Sequence, residues 1–132
     1  MELHQIIKPG LKKELVFQVE EEHSAVHVGS GSLRVLATPW MIAFMERTAR
    51  QLLGELLPEG YSSVGVRVEV SHLAPTPVGS IVKASALVTV IEDTKVYFDL
   101  GAWDDVEKIG VGQHQRVVID EERFLRRVAK KG

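Results

Sequence analysis

The chain contains no cysteine. That removes disulfides, thiolate metal sites and cysteine nucleophiles together. It also lacks an excess of basic charge. The formal net charge is -2, so no global field argues for nucleic acid. No apolar run approaches the roughly 20 residues that a membrane-spanning helix needs. The start, Met1-Glu2-Leu3-His4, lacks the basic segment and apolar stretch of a signal peptide. These absences predict a cytoplasmic protein with no membrane or nucleic-acid partner. Linkers and internal repeats are missing too. A length of 132 residues then suits one domain over 1–132, with one respectable core.

What is present is patterned. Leu11 to Val19 reads as a strand, with Leu11, Leu15, Phe17 and Val19 apolar and Lys13 interrupting them. Residues 23–37 are irregular around Gly29-Ser30-Gly31-Ser32, a flexible loop or lid. Thr38 is a good N-cap and Pro39 suits the first helical position. Apolar periodicity then runs from Trp40 to Leu57, and Pro58 with Gly60 stops it.

Strands follow. Val64, Val66, Val68 and Val70 alternate with Gly65, Arg67, Glu69 and Ser71. Pro75, Pro77 and Gly79 turn the chain into Ile81–Ile91, with Val82, Ala84, Ala86, Val88 and Val90 on one face. Glu92-Asp93-Thr94 turns it again into a strand marked by Val96, Phe98, Leu100 and Ala102. A last strand covers Ile109 to Ile119, twisted or bulged by Gly110 and Gly112. Glu121 to Lys131 closes as a short amphipathic helix with a basic end, usually a solvated face. Short turns make antiparallel neighbours. One apolar helix against such a sheet is a two-layer α+β domain. The order fits the hot-dog arrangement, an antiparallel β-sheet wrapped around one long central α-helix.

Two residues break the pattern. Glu46 falls on the stripe Ile42, Met45, Ala49, Leu52, Leu53 and Leu56, in phase with Ile42, Ala49 and Leu53. A buried carboxylate needs a partner, a proton or a cavity. Arg50, four residues on, is one local partner. His72 continues the even-numbered face of Val64 to Val70 toward the layer that holds Glu46. A histidine and a carboxylate in one layer are the components of a general-base unit. A half-exposed strand end explains His72 equally simply.

Other candidates have ordinary explanations beside functional ones. Capping alone explains Thr38, although a hydroxyl at a helix N-terminus also suits a reacting carbonyl. Gly65 is either a kink or a close backbone approach with its N–H toward a carbonyl oxygen. Arg116 sits in a polar patch with Gln113, His114 and Gln115, either a solvated face or a contact to a charged ligand portion. His4, His23 and His27 read as surface residues, and no third ligand supports a metal site. Thr38 and Glu46 lie eight residues apart, roughly 12 Å of rise and about 80° of rotation. They cannot touch within one helix, so a shared site needs substrate to span them or a second chain to join them.

The runs Val35-Leu36-Ala37-Thr38-Pro39-Trp40-Met41, Glu46, Val64-Gly65-Val66 and His72-Leu73-Ala74-Pro75-Thr76-Pro77-Val78-Gly79 resemble the fluoroacetyl-CoA thioesterase-like family of hot-dog proteins. The likeness spans roughly residues 8–120. It implies a dimeric acyl-CoA thioesterase with Thr38, Glu46 and His72 as its triad, Gly65 beside the thioester carbonyl and Arg116 near the substrate. It implies no cofactor, since CoA is part of the substrate, no metal, and a homodimer or a higher assembly. In one respect the chain departs from the family. The type member covers its small acyl pocket with bulky apolar lid residues, where this chain has Gly29-Ser30-Gly31-Ser32, so fluoroacetyl specificity does not carry over. Two other activities fit the same residues: an acyl-thioester dehydratase or hydratase, and a non-catalytic acyl-CoA-binding module.

Overall fold

The computed structural model describes residues 1–132. Its elements run β1 (Lys12–Gln18), α1 (Ala25–Val28), α2 (Thr38–Gly54), β2 (Tyr61–His72), β3 (Ile81–Glu92), β4 (Lys95–Trp103), β5 (Lys108–Asp120) and α3 (Glu121–Ala129). The five strands form one antiparallel sheet in the order β1-β3-β4-β5-β2. Strands β3, β4 and β5 are sequential neighbours because their turns are short. The β3–β4 turn puts Asp93 at φ 57, a conformation that Asp tolerates better than most residues.

Helix α2 carries the chain from one edge strand to the other and packs across β1, β2, β3 and β4. Its buried residues are Met41, Phe44, Met45, Thr48, Ala49, Leu52 and Leu53. They meet Val82, Ala84, Ala86, Val88, Val96, Phe98, Leu100 and Ala102 from the sheet. Thr48 is tolerated there because its hydroxyl donates to the Phe44 carbonyl at 2.8 Å. Leu3 and Ile7, ahead of the first strand, belong to the same core. Gly110 lets the helix come close: a Cβ there would stand 2.6 Å from Met41 Sδ. No helix is long and apolar enough to cross a membrane.

Several details differ from the sequence pattern. The helical stripe centres on Phe44 and Thr48, so Glu46 lies on its flank with 40% of its side chain exposed. Three bulges interrupt the strand pairing. One leaves Ile109 as the extra residue in β5, beside Gly110 where the sequence predicts a bulge; the other two reset the expected alternation, and each moves side chains to the opposite face. In β3 the register shifts between Val88 and Val90, which turns Val90 outward and Ile91 into the core. In β2 it shifts between Gly65 and Arg67, leaving Val66 as the extra residue. Paired residues share a face, and Gly65 pairs with the inward Arg116 while Val68 pairs with the inward His114. Gly65 therefore faces the helix layer, and Val64 does not. His23 is buried, not superficial. Its Nδ1 accepts from the Glu20 amide at 2.8 Å, and its ring packs on Trp40 and Phe44.

Candidate active site

Thr38 is the first residue of α2, and Ala37 is the N-cap, with no side-chain capping bond. The hydroxyl is thereby free of the helix and lies 2.7 Å from His72 Nδ1. Strand β2 places His72 on its helix-facing side, opposite Gly110. The close approach at Gly110 brings the first turn of α2 down onto this strand end. The other ring nitrogen, His72 Nε2, is buried and has no hydrogen-bond partner. Burial lowers the pKa of His72, against an opposing effect of the Ala74 backbone. The ring is thus held in its basic, neutral form. A cleft of about 340 Å³ opens beside the pair, with Ala25, Leu36, Ala37 and Pro75 among its walls.

Glu46 does not pair with His72 in the same chain, and its charged neighbour is not Arg50. Its Oε2 lies 3.8 Å from Arg116 Nη1 and 3.8 Å from His114 Nε2. Arg116 is not a solvated strand residue: it is 5% exposed. Its Nε donates to Ser63 Oγ at 2.8 Å and its Nη2 to the Ser63 carbonyl at 3.0 Å. Burial lowers its pKa, opposed by the nearby Glu46 carboxylate. Gly65 completes the group. A Cβ on it would stand 2.6 Å from Glu46 Oε2, so the glycine makes room for the carboxylate.

The five sequence candidates therefore fall into two groups. Thr38 and His72 form one; Glu46, Gly65 and Arg116 form the other. Gly65 and His72 are seven residues apart on β2 with one bulge between them, which is roughly 20 Å along the strand. His114 belongs to the second group and was not singled out by sequence. Its signal was present in the inward alternation of β5, where Gly112, His114, Arg116 and Val118 share a face. No group of three or more His, Asp or Glu side chains converges to hold a metal ion.

Comparison with known proteins identifies the fold and the family. Residues 19–122 match the family described as fluoroacetyl-CoA-specific thioesterase, FlK. The chain is 34% identical over 97 residues to the fluoroacetyl-CoA thioesterase of Streptantibioticus cattleyicolor, covering 74% of this chain and 70% of that protein. A solved structure of the fluoroacetyl-CoA thioesterase FlK superposes with a TM-score of 0.90 at 28% identity, covering 96% of this chain and 98% of that one. A hot-dog-like protein from Thermanaerovibrio acidaminovorans gives 0.91 at 27% identity, covering 99% and 97%. The fold is the hot-dog fold, and the chain belongs to the fluoroacetyl-CoA-specific thioesterase family.

Proposed function

We propose that the protein, as one hot-dog domain over residues 1–132, hydrolyses an acyl-CoA thioester to the free acid and CoA. The observation that carries this is the Thr38 hydroxyl against a neutral His72 whose second nitrogen is buried and unpartnered. CoA enters as part of the substrate.

A homodimer brings the two groups together. Strand β2 is an edge strand, and Val66 and Val68 are exposed on it. Antiparallel pairing of two such edges about an axis near Val68 lays the Gly65 end of one strand beside the His72 end of the other. The partner's Glu46 then faces His72 Nε2, and the partner's Gly65 lines the same site. A carboxylate there accepts the Nε2 hydrogen and stabilises the imidazolium that forms when Nδ1 takes a proton.

The chemistry follows from these positions. His72 removes a proton from Thr38, or from a water that Thr38 holds. The oxygen attacks the thioester carbonyl carbon, and the C–O π electrons move onto the oxygen. The N-terminus of α2 favours that negative charge, and the partner's Gly65 N–H supplies a donor. The carbonyl re-forms, the C–S bond breaks and the proton on His72 goes to the leaving sulfur. If Thr38 carries the acyl group, a water repeats the sequence and releases the acid. An electrophilic trap that leaves mass on Thr38 separates the two routes.

The test is a thiol-release screen over short, branched, aromatic and long acyl-CoAs. Turnover of at least one class is expected. Saturable binding without thiol release across the panel would sink the proposal and leave a binding module.

A further inference from the structure

The hydrolysis uses Glu46 but gives no task to the two buried side chains beside it, Arg116 and His114. We propose that His114 is a positioning residue for the hydrolysis, fixing the Arg116 guanidinium beside Glu46 through a hydrogen-bonded chain that starts at the β2 bulge. This rests on the hydrolytic function proposed above.

The geometry assigns every proton in that chain. His114 Nδ1 lies 2.8 Å from the Arg67 carbonyl. A carbonyl only accepts, so Nδ1 carries the hydrogen. His114 Nε2 lies 3.1 Å from Arg116 Nη1. A guanidinium only donates, so Nε2 is bare. The ring is neutral, in one tautomer, with both nitrogens used. A protonated ring would set an Nε2 hydrogen against the Nη1 hydrogens and break the chain. The surroundings oppose that state. Burial comes first and the Arg116 charge adds to it, against the Arg67 backbone and the Glu46 carboxylate.

The chain holds what Ser63 cannot. Ser63 accepts from Nε and Nη2, which fixes one edge of the guanidinium. The Nη1 end, which faces Glu46 at 3.8 Å, has His114 as its one hydrogen-bond partner. His114 is itself fixed: it is 3% exposed and its ring stacks on Phe98 at 6.0 Å between centroids. The bulge sets the Arg67 carbonyl against the ring, because the register passes from Gly65–Arg116 to Arg67–Gln115 across it. The same backbone irregularity therefore makes room for the Glu46 carboxylate at Gly65 and anchors its cation through Arg67. Losing His114 frees Nη1 to swing, and a carboxylate whose counter-charge moves is a poorer orienter of the His72 imidazole.

A substitution series with two readouts tests this. On a thioester that the screen identifies, H114F should lower kcat about tenfold with KM nearly unchanged, as expected for a displaced group outside the binding contacts. H114Q should recover most of the rate, because its amide donates to Arg67 and accepts from Arg116. In an R116M background H114F should have little further effect, since its route of action is gone. Equal losses from H114F in both backgrounds, or native kcat in H114F, would overturn the proposal. Nitrogen NMR of the unmodified protein near neutral pH gives a readout that does not depend on folding of the variants. It should show His114 with a protonated Nδ1 and a bare Nε2; the opposite tautomer or an imidazolium would overturn it. If the wild-type protein releases no thiol, the hydrolytic function fails, while the tautomer still reports on the anchoring chain.

Discussion

The pair Thr38–His72 and the cluster around Glu46 are built on opposite principles. The pair is open. Thr38 is exposed, makes no cap, and touches one partner, and that partner keeps an unpaired nitrogen. The cluster is closed. Arg116 uses Nε, Nη1 and Nη2, and His114 uses both ring nitrogens. Unsatisfied polar atoms in a buried place are costly unless something else completes them. Under the proposed function the difference fits reactive work at the pair and electrostatic orientation at the cluster. It also gives that proposal its reason for a second chain: the spare nitrogen is on His72, and the carboxylate lies beside Gly65, seven residues back along β2.

Breaking the open pair should have the largest effect. H72A removes the base and should lower kcat about 10²- to 10⁴-fold while the protein keeps its fold and oligomeric state by gel filtration. Near-native turnover in H72A would remove the pair from the mechanism. The division of labour between chains has its own test. H72A and E46Q are each expected to be nearly inactive as homodimers. Mixed in equal amounts, they should recover about a quarter of wild-type activity, because half the dimers are mixed and each mixed dimer keeps one intact composite site. No recovery on mixing would place Glu46 and His72 in one-chain sites.

Next in size is the closed cluster. G65A puts a Cβ 2.6 Å from Glu46 Oε2, 3.1 Å from His114 Cε1 and 3.3 Å from Arg116 Nη1. The carboxylate must shift, and the guanidinium and imidazole that crowd it are tethered. A displacement near 1 Å at such a group costs on the order of 10²-fold in rate. The measurement is kcat/KM at unchanged melting temperature. A G65A enzyme of native activity would show that Glu46 tolerates movement.

How far this was visible in the sequence depended on whether a residue obeyed a period. Thr38, Glu46, His72, Gly65 and Arg116 stood out as residue types at odds with their run or as matches to family motifs. The helix and five strands followed from period and turn chemistry. What failed were the places where one residue resets the count. The bulge at Val66 moved Gly65 to the helix side, and the bulge near Thr89 turned Val90 out. A bulge has no composition cue beyond an occasional glycine, and β3 had none there. The capping reading of Thr38 fails because threonine before proline suits an N-cap, whereas here Ala37 takes that position and leaves the hydroxyl to His72. The partner of Glu46 could not be read from helix spacing, since it lies on β5.

A smaller effect separates the two regions by pH. His72 and His114 both have pKa values lowered by burial from the ordinary 6.5. The unfolded chain therefore binds more protons than the folded one as pH falls below 6.5. The stabilisation is complete above that value and is lost as pH falls through the lowered folded values. The melting temperature should drop on acidification, and H114F should drop less steeply than wild type. In the composite site the partner's Glu46 opposes the effect of burial on His72, so the acid midpoint of the residual activity of E46Q should lie below that of wild type. An E46Q midpoint at or above the wild-type value would contradict a carboxylate at His72.

The smallest rate effect comes from the same kind of substitution under the open pair. G110A builds a Cβ 2.6 Å from Met41 Sδ, 2.8 Å from Met41 Cε and 3.0 Å from Met45 Cε. These are the ends of flexible side chains, so the clash can relax, unlike that at Gly65. Overpacking of this kind costs about 1–3 kcal/mol of stability. Met41 lies in the turn that follows Thr38, and Gly110 pairs with His72. Lifting α2 there lengthens the Thr38–His72 contact slightly, but the open pair has no other bonds to break. G110A should therefore lose melting temperature and keep kcat within about tenfold of wild type, the reverse of G65A. If G110A instead lost as much activity as G65A at native stability, the pair would be as tightly positioned as the cluster, and the contrast between an open and a closed half of the site would fail.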